Sequence, residues 1–363
     1  MELGPLDVNL KPRNTTWVKN SNILFIDNPV GTGFSYVKNL SALTKNNSQI
    51  ADDLVILMKQ FFQKVPEFQK SPLYIFSESY GGKMAASFAL ALYKAVKSGK
   101  ISCNFQGVTF GDSWISPIDS VATWGSYLYT VSMVDKQGLE VINASVQDIR
   151  QSMAKGQYVN ATELWSRTED IVEKYTNGID WYNILSNVGE QPKPMVGSLP
   201  PNHILHKSYM RHVGNLSSDP LFKLMNGKIK EMLRVIPKNV TWGGQSGAVF
   251  DALKGDFMKP VTDVVDILLN TTDLKVVVYN GQLDLIVDAP GTLQWIDSLK
   301  WPGINGFKKA ERTPIVLKGQ RTGGFVQSFK NFQFFQILKA GHMVPTDAGE
   351  AALKMLTMIT RNK

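Results

Sequence analysis

A serine set among small residues, a histidine in a glycine-entered loop, and an aspartate between them in chain order could together perform acyl transfer. Ser77-Glu78-Ser79-Tyr80-Gly81-Gly82 lies between an apolar run at residues 73–76 and a helical pattern from Lys83. A strand-to-helix turn tight enough to present a hydroxyl needs small residues two before and two after the nucleophile, and Ser77 and Gly81 fill those places around Ser79. Glycine is usual at both, so Ser77 is a departure that its small size permits. The Ser79 hydroxyl would then face a helix N-terminus. Ser77 itself suits the role poorly, with Ile75 two places before it. The reading without chemistry is a glycine-rich turn opening a helix.

A nucleophilic serine needs a base, and the chain has four histidines. His203, His206 and His212 fall in a segment of helices and loops. The His203/His206 pair has i, i+3 spacing, but no cysteine or carboxylate constellation makes it a metal site. His342 stands in Ala340-Gly341-His342-Met343-Val344-Pro345, just past the apolar run at 334–338, where a base at the C-terminal edge of a sheet would stand. An orienting acid between serine and histidine is supplied by Tyr279-Asn280-Gly281-Gln282-Leu283-Asp284, past the most apolar strand pattern in the chain. Asp288 is the other candidate; a capping role for the following helix suits it better.

The elements that would position these residues follow from hydrophobic period. Short apolar runs at 22–27, 73–76, 106–110 and 274–279 read as buried strands; three- and four-residue spacing at 50–64 and 83–97 reads as amphipathic helix. Strand, helix, strand, helix, strand argues for βαβ units and a mostly parallel sheet. Residues 118–260 interrupt the alternation with helical stretches at 162–174 and 220–235 and a loop cluster at 191–201, as an inserted cap would. The α/β pattern resumes in 261–363, with a helix at 291–299, a hairpin around Asn331, and a closing helix at 347–359 capped by Asp347. Residues 1–117 and 261–363 are thus expected to form the two parts of one core.

Composition narrows the class. At 363 residues, 43% hydrophobic and 19% charged, the chain is globular in balance. The net charge of +8 is spread over scattered Lys and Arg, without blocks or interleaved aromatics, which argues against a nucleic-acid partner. No apolar stretch is long enough to span a bilayer. Cys103 is the only cysteine, so no intrachain disulfide can form. Eight N-x-S/T sequons, at Asn14, Asn39, Asn46, Asn143, Asn160, Asn215, Asn239 and Asn270, exceed the roughly three that chance would supply from 23 Asn. That excess points to the secretory pathway, although Met1-Glu2-Leu3-Gly4-Pro5 shows neither the basic nor the apolar region of a signal peptide.

Four blocks carry a resemblance across nearly the whole chain. Asp27-Asn28-Pro29-Val30-Gly31-Thr32-Gly33-Phe34-Ser35-Tyr36, Glu78-Ser79-Tyr80-Gly81-Gly82, Gly111-Asp112-Ser113-Trp114-Ile115-Ser116-Pro117 and Gly341-His342-Met343-Val344-Pro345 resemble the serine carboxypeptidase family. The resemblance implies an α/β-hydrolase fold with an inserted helical cap, no cofactor, and a peptide substrate with a free C-terminus. It makes Ser79 the acyl-forming nucleophile, His342 the general base and acid, Asp284 the residue holding the imidazole tautomer, and the Tyr80 N–H an oxyanion donor. It assigns Glu2 and Glu78 to the substrate carboxylate, with Met343 also substrate-binding. Carboxyls so close cannot all ionise, which favours acidic pH.

The resemblance also implies that a Gly-Gly-Pro-Gly segment, bearing the second oxyanion donor, would precede this chain's first block. Its strand would lie between those at 22–27 and 73–76, so a gap inside the sheet is expected. Losing one oxyanion donor costs about 3 kcal/mol at the transition state. The leading expectation is a serine carboxypeptidase whose complete parent is lysosomal or secreted. The alternatives are an acyltransferase or esterase on the same triad, and a catalytically silent glycoprotein of the same scaffold.

Overall fold

The computed structural model describes residues 2–186, 197–214 and 219–361. The first regular helix is α1 (Asn47–Lys64), opened by the Asn46 side chain, which accepts the Gln49 N–H at 3.0 Å. Its buried stripe, Ile50, Leu54, Met58 and Phe62, repeats every fourth residue. Then come β1 (Pro72–Ser79), α2 (Gly81–Lys97) and β2 (Asn104–Ser113). A run of helices follows: α3 (Pro117–Thr130), α4 (Lys136–Ala154), α5 (Tyr158–Thr176), α6 (His206–Tyr209), α7 (Asp219–Leu224), α8 (Lys230–Leu233), α9 (Ser246–Ala252), α10 (Lys254–Phe257) and α11 (Thr262–Thr271). After it lie β3 (Lys275–Gly281), α12 (Ala289–Asp297), α13 (Ile304–Lys309), β4 (Arg312–Val316), β5 (Thr322–Phe329), β6 (Phe332–Ile337), α14 (Val344–Asp347) and α15 (Gly349–Thr360).

These strands form one six-stranded sheet in the order β1-β2-β3-β6-β5-β4. Strands β1, β2, β3 and β6 run parallel, while β5 and β4 add an antiparallel edge. Both faces are covered, so the central strands are continuously apolar: Val276, Val277 and Val278 are each at most 1% exposed. One face packs on α2, α11 and α12 through Ala86, Ala89, Val265, Leu268 and Trp295. The other packs on α15 and on Trp17, whose ring meets Phe76 of β1 edge-on at 5.0 Å. A separate cluster inside the helical run is built on Trp114, Trp124, Trp165 and Trp181.

The structure corrects several expectations. Residues 22–27 join no strand, so among the described residues the sheet ends at β1 on that side, with β4 its other edge and no gap between them. With no ladder to enter, that run is extended, with Leu24 and Phe25 exposed while Ile23 and Ile26 pack inward. Asp347 does not cap the closing helix. Pro345 starts a separate short turn, and the Asp347 carboxylate bends back to accept the Gly341 N–H at 2.8 Å and Asn183 Nδ2 at 3.0 Å. The expected helix at 220–235 is broken by a π-turn around Gly227. Strand β4, unanticipated because Pro314 sits within it, occupies the sheet edge that tolerates proline. Residues 191–196 of the expected loop lie outside the described residues.

Of the sequon asparagines, Asn14, Asn39, Asn143, Asn160, Asn239 and Asn270 are exposed and Asn46 is half-buried at its helix cap. Asn215 lies outside the described residues. Cys103 is a free, half-buried thiol that burial pushes up to about 11, which makes it unreactive.

Candidate active site

At the C-terminal end of β1 the backbone turns directly into α2, and Ser79 takes the left-handed conformation there, with φ +60°. A non-glycine residue in that conformation is strained. The Ser79 carbonyl accepts the Trp114 N–H at 2.9 Å, tying the turn to the end of β2. A Cβ on Gly81 would meet Ser77 Cβ at 3.6 Å, in ordinary contact, so these facing positions tolerate one small side chain. Gly82 is the tighter place: a Cβ there would lie 2.3 Å from Ser113.

Asp284 and His342 stand beyond the same sheet edge, after β3 and β6. His342 Nδ1 and Asp284 Oδ2 are 2.7 Å apart, both side chains are buried, and Asp284 Oδ1 accepts the Val287 N–H at 3.2 Å. Nε2 of His342 has no hydrogen-bond partner. Burial pushes the imidazole down to about 4, so it is a neutral base in weakly acidic solution. Asp288, the other acid considered, caps α12 by accepting the Gly291 N–H at 3.2 Å and also accepts Thr123 Oγ1 at 2.8 Å. Met343 follows the base, and its carbonyl accepts the Thr346 N–H at 2.9 Å.

A strap from the helical run crosses both loops. Trp181 O accepts the Ile286 N–H at 3.0 Å, Leu283 O accepts the Ile184 N–H at 3.0 Å, and Tyr182 O accepts the His342 N–H at 2.7 Å. The Tyr182 ring meets the His342 ring edge-on at 5.1 Å. The Tyr182 phenol lies 3.0 Å from His212 Nδ1, and the other ring nitrogen of His212 is bound to the buried Glu169. Arg211, beside His212 in a π-turn, pairs with Glu169 at 2.7 Å. His203 instead meets Asp251 and His206 meets the Leu199 carbonyl, so that pair shares no centre.

The remaining carboxyls converge here. Glu2 is held by its backbone: Leu3 O accepts the Trp17 N–H and Thr16 Oγ1, each at 3.0 Å, and Arg13 binds the Glu2 carbonyl. Its carboxyl meets that of Glu78, which burial, reinforced by the charges of Glu2 and Asp112, lifts well above the usual carboxylate range. Burial lifts Glu2 as well, but the hydrogen bond from Glu78 pulls it back down, which favours Glu78 as the neutral member. Asp112, a residue given no role by sequence, is fully buried alongside, its Oδ1 accepting Asn280 Nδ2 at 2.9 Å and the Gly281 N–H at 2.6 Å. Asp112, Asp284 and His342 bring ligand-capable atoms within 4.8 Å of one another, and the Asp284–His342 hydrogen bond joins two of them.

Tyr80 is clamped from below. Its phenol donates to Asp256 Oδ2 at 2.9 Å and its ring stacks on Phe257, 5.8 Å between centroids. The same carboxylate accepts Asn47 Nδ2 at 2.6 Å and pairs with the fully buried Lys83 at 2.9 Å. Burial pushes Lys83 down to about 8, against the pull of Asp256. Nothing in the local sequence around Lys83 pairs it with a carboxylate so far along the chain.

Comparison with known proteins finds relatives over nearly the whole chain. A family model described as serine carboxypeptidase matches residues 1–362. The retinoid-inducible serine carboxypeptidase of Mus musculus is 49% identical over 365 residues, covering 100% of this chain and 80% of the relative. Serine carboxypeptidase-like 51 of Arabidopsis thaliana is 42% identical over 373 residues, covering 99% and 81%. Among solved structures, a prohormone-processing carboxypeptidase from Saccharomyces cerevisiae superposes with a TM-score of 0.77 at 19% identity, covering 99% of this chain and 78% of that one, which shows the fold.

Proposed function

The chain belongs to the serine carboxypeptidase family, and from that premise we propose that it hydrolyses C-terminal residues from peptides through an acyl-enzyme on Ser79. In this reading the free Nε2 of His342 takes the Ser79 proton as Oγ attacks the scissile carbonyl, and later gives it to the departing amino acid. Asp284 holds the Nδ1–H tautomer, and the Tyr80 N–H, steadied by its clamped side chain, stabilises the developing oxyanion. Water then attacks the acyl-enzyme with His342 as base again.

The observation that carries the reading is the half-buried Glu2–Glu78 carboxyl pair beside the His342–Asp284 pair. A neutral carboxyl donates to a substrate carboxylate where an ionised one would repel it, so activity falls once Glu78 ionises. An esterase or acyltransferase with a neutral substrate has no use for that donor. We read residues 118–260 as a cap over this edge and Met343 as part of the substrate contact. We place the protein in the lysosome or outside the cell, with glycans on the exposed sequons. No helix among the described residues is long and apolar enough to cross a membrane.

The test uses peptides with free and amidated C-termini at about pH 5, the acidic range expected of the carboxyl pair. Free peptides should lose C-terminal residues, amidated ones should react about 10–100-fold more slowly for want of one charged hydrogen bond, and Ser79→Ala should be inactive. Equal rates on both peptides, or an active Ser79→Ala variant, would overturn the reading.

A further inference from the structure

We propose that Asp112 is a positioning residue: its carboxyl keeps a proton on Oδ2 and donates it to Asp284, holding that acid against His342. The inference rests on the acyl-transfer reading of the site and goes beyond it, because Asp112 touches neither nucleophile nor base.

The backbone aims this side chain. Between β1 and β2 the register runs Glu78 to Gly111 and then Ser79 to Ser113, so Asp112 is the extra residue of a β-bulge beside the nucleophile. Its φ is +39°, a left-handed value that an aspartate adopts at a cost. Bulges of this kind redirect a side chain next to an active site. Here the redirected carboxyl is fully buried, with Oδ1 fixed by Asn280 Nδ2 and the Gly281 N–H.

The hydrogen-bond inventory then locates the proton. Oδ1 of Asp112 already accepts two N–H groups, whereas Oδ2 is buried and meets no such donor. Asp284 accepts the Val287 N–H on one oxygen and meets His342 Nδ1 on the other, so it is the acceptor of the two acids and has lone pairs left for one more donor. Two ionised carboxylates within reach of one another, both out of water, repel without screening. A proton on Asp112 Oδ2 removes the repulsion and supplies Asp284 with a further donor. The other titratable groups around Asp112 are Glu2, Glu78, His342 and the phenol of Tyr279; the charge of Glu2 adds negative potential and favours the same state. Burial raises both acids; the charge of Asp284 lifts Asp112 further, whereas hydrogen bonds from the Val287 and Ile286 N–H groups pull Asp284 back down.

Asp112→Asn keeps the shape and offers a donor that cannot titrate, whereas Asp112→Ala removes both. The alkaline limb of kcat is the readout, since substrate-carboxylate binding at Glu78 acts mainly on KM. Asp112→Asn should retain kcat at pH 5 within about threefold and shift that limb upward by a pH unit or more, about five- to tenfold higher kcat one unit above the parent's midpoint. Asp112→Ala should lose about 100-fold in kcat with KM little changed. In parallel, the low-field NMR resonance of the His342 Nδ1 proton, followed without substrate, should disappear at a lower pH in the parent than in Asp112→Asn. Superimposable pH dependences of both kcat and the resonance would overturn the proposal, whether or not Asp112→Ala folds. A parent that shows the resonance but hydrolyses no peptide would overturn the peptidase reading alone.

Discussion

Replacing Gly341 by alanine tests whether the strap sets the geometry of the base. A Cβ at 341 would lie 2.0 Å from the Tyr182 carbonyl oxygen and 2.8 Å from Asn183 Cβ, with backbone on both sides. Relief to ordinary contact near 3.5 Å requires a separation of more than about 1 Å between the base loop and the strap. That movement breaks the 2.7 Å bond from the His342 N–H to Tyr182 O and carries the imidazole away from its 2.7 Å contact with Asp284. A misplacement of about 1 Å costs on the order of 100-fold in rate, while overpacking of this size costs about 1–3 kcal/mol of stability. The assay is kcat on a free peptide at pH 5 together with the thermal midpoint of unfolding. Gly99→Ala is the matched control: φ is +72° with nothing within 4 Å of the added Cβ, so it should lose about 1–2 kcal/mol of stability with kcat unchanged. If Gly341→Ala kept kcat within twofold, or both variants lost activity in step with stability, the strap would have no part in aligning the base.

Two further outcomes follow from the carboxyls and the sequons. Glu78 and Asp112, raised by burial, keep protons in the fold that the unfolded chain releases above about pH 4; stability therefore falls as pH rises, by about 1.4 kcal/mol per pH unit for each group until it ionises. His342, pushed down to about 4, works the other way below about 6.5, where the unfolded imidazole binds a proton that the folded one refuses. The carboxyl contributions are thus partly offset below about pH 6.5, so urea midpoints should decline as pH rises from about 5; a flat or rising series would remove the protonated assignments. Protein made in a secreting cell should lose mass in several steps on enzymatic removal of N-linked glycans, and mass spectrometry showing all six exposed sequon asparagines unmodified would remove the glycoprotein reading.

Much of the core was legible because short apolar runs and helical stripes carry unambiguous periods. The turn at Ser79 and the loop at His342 were legible for a related reason: each couples a chemical residue to small neighbours at fixed offsets. The run at 22–27 misled because an apolar stretch specifies burial of alternate side chains, not the presence of a strand to pair with. Asp347 misled because a capping aspartate and one that ties back to a loop look alike until the direction of the chain is known. Asp112 had no local signal, since a bulge is a mismatch between two strands and exists only in their register. The Glu169–His212–Tyr182 chain and the Lys83–Asp256 pair were illegible for the same reason, being made of residues far apart in sequence.

The clamp on Tyr80 has a consequence for the order in which the molecule is made. Asp256 lies 176 residues beyond the tyrosine it holds, a stretch that a ribosome needs about 10–35 s to add. During that interval the serine turn has been synthesised but lacks its support, and the histidine that would activate it has not yet been made. A nascent chain therefore emerges with its serine turn unsupported, and the centre is assembled only after Asp256, Asp284 and His342 have all been added.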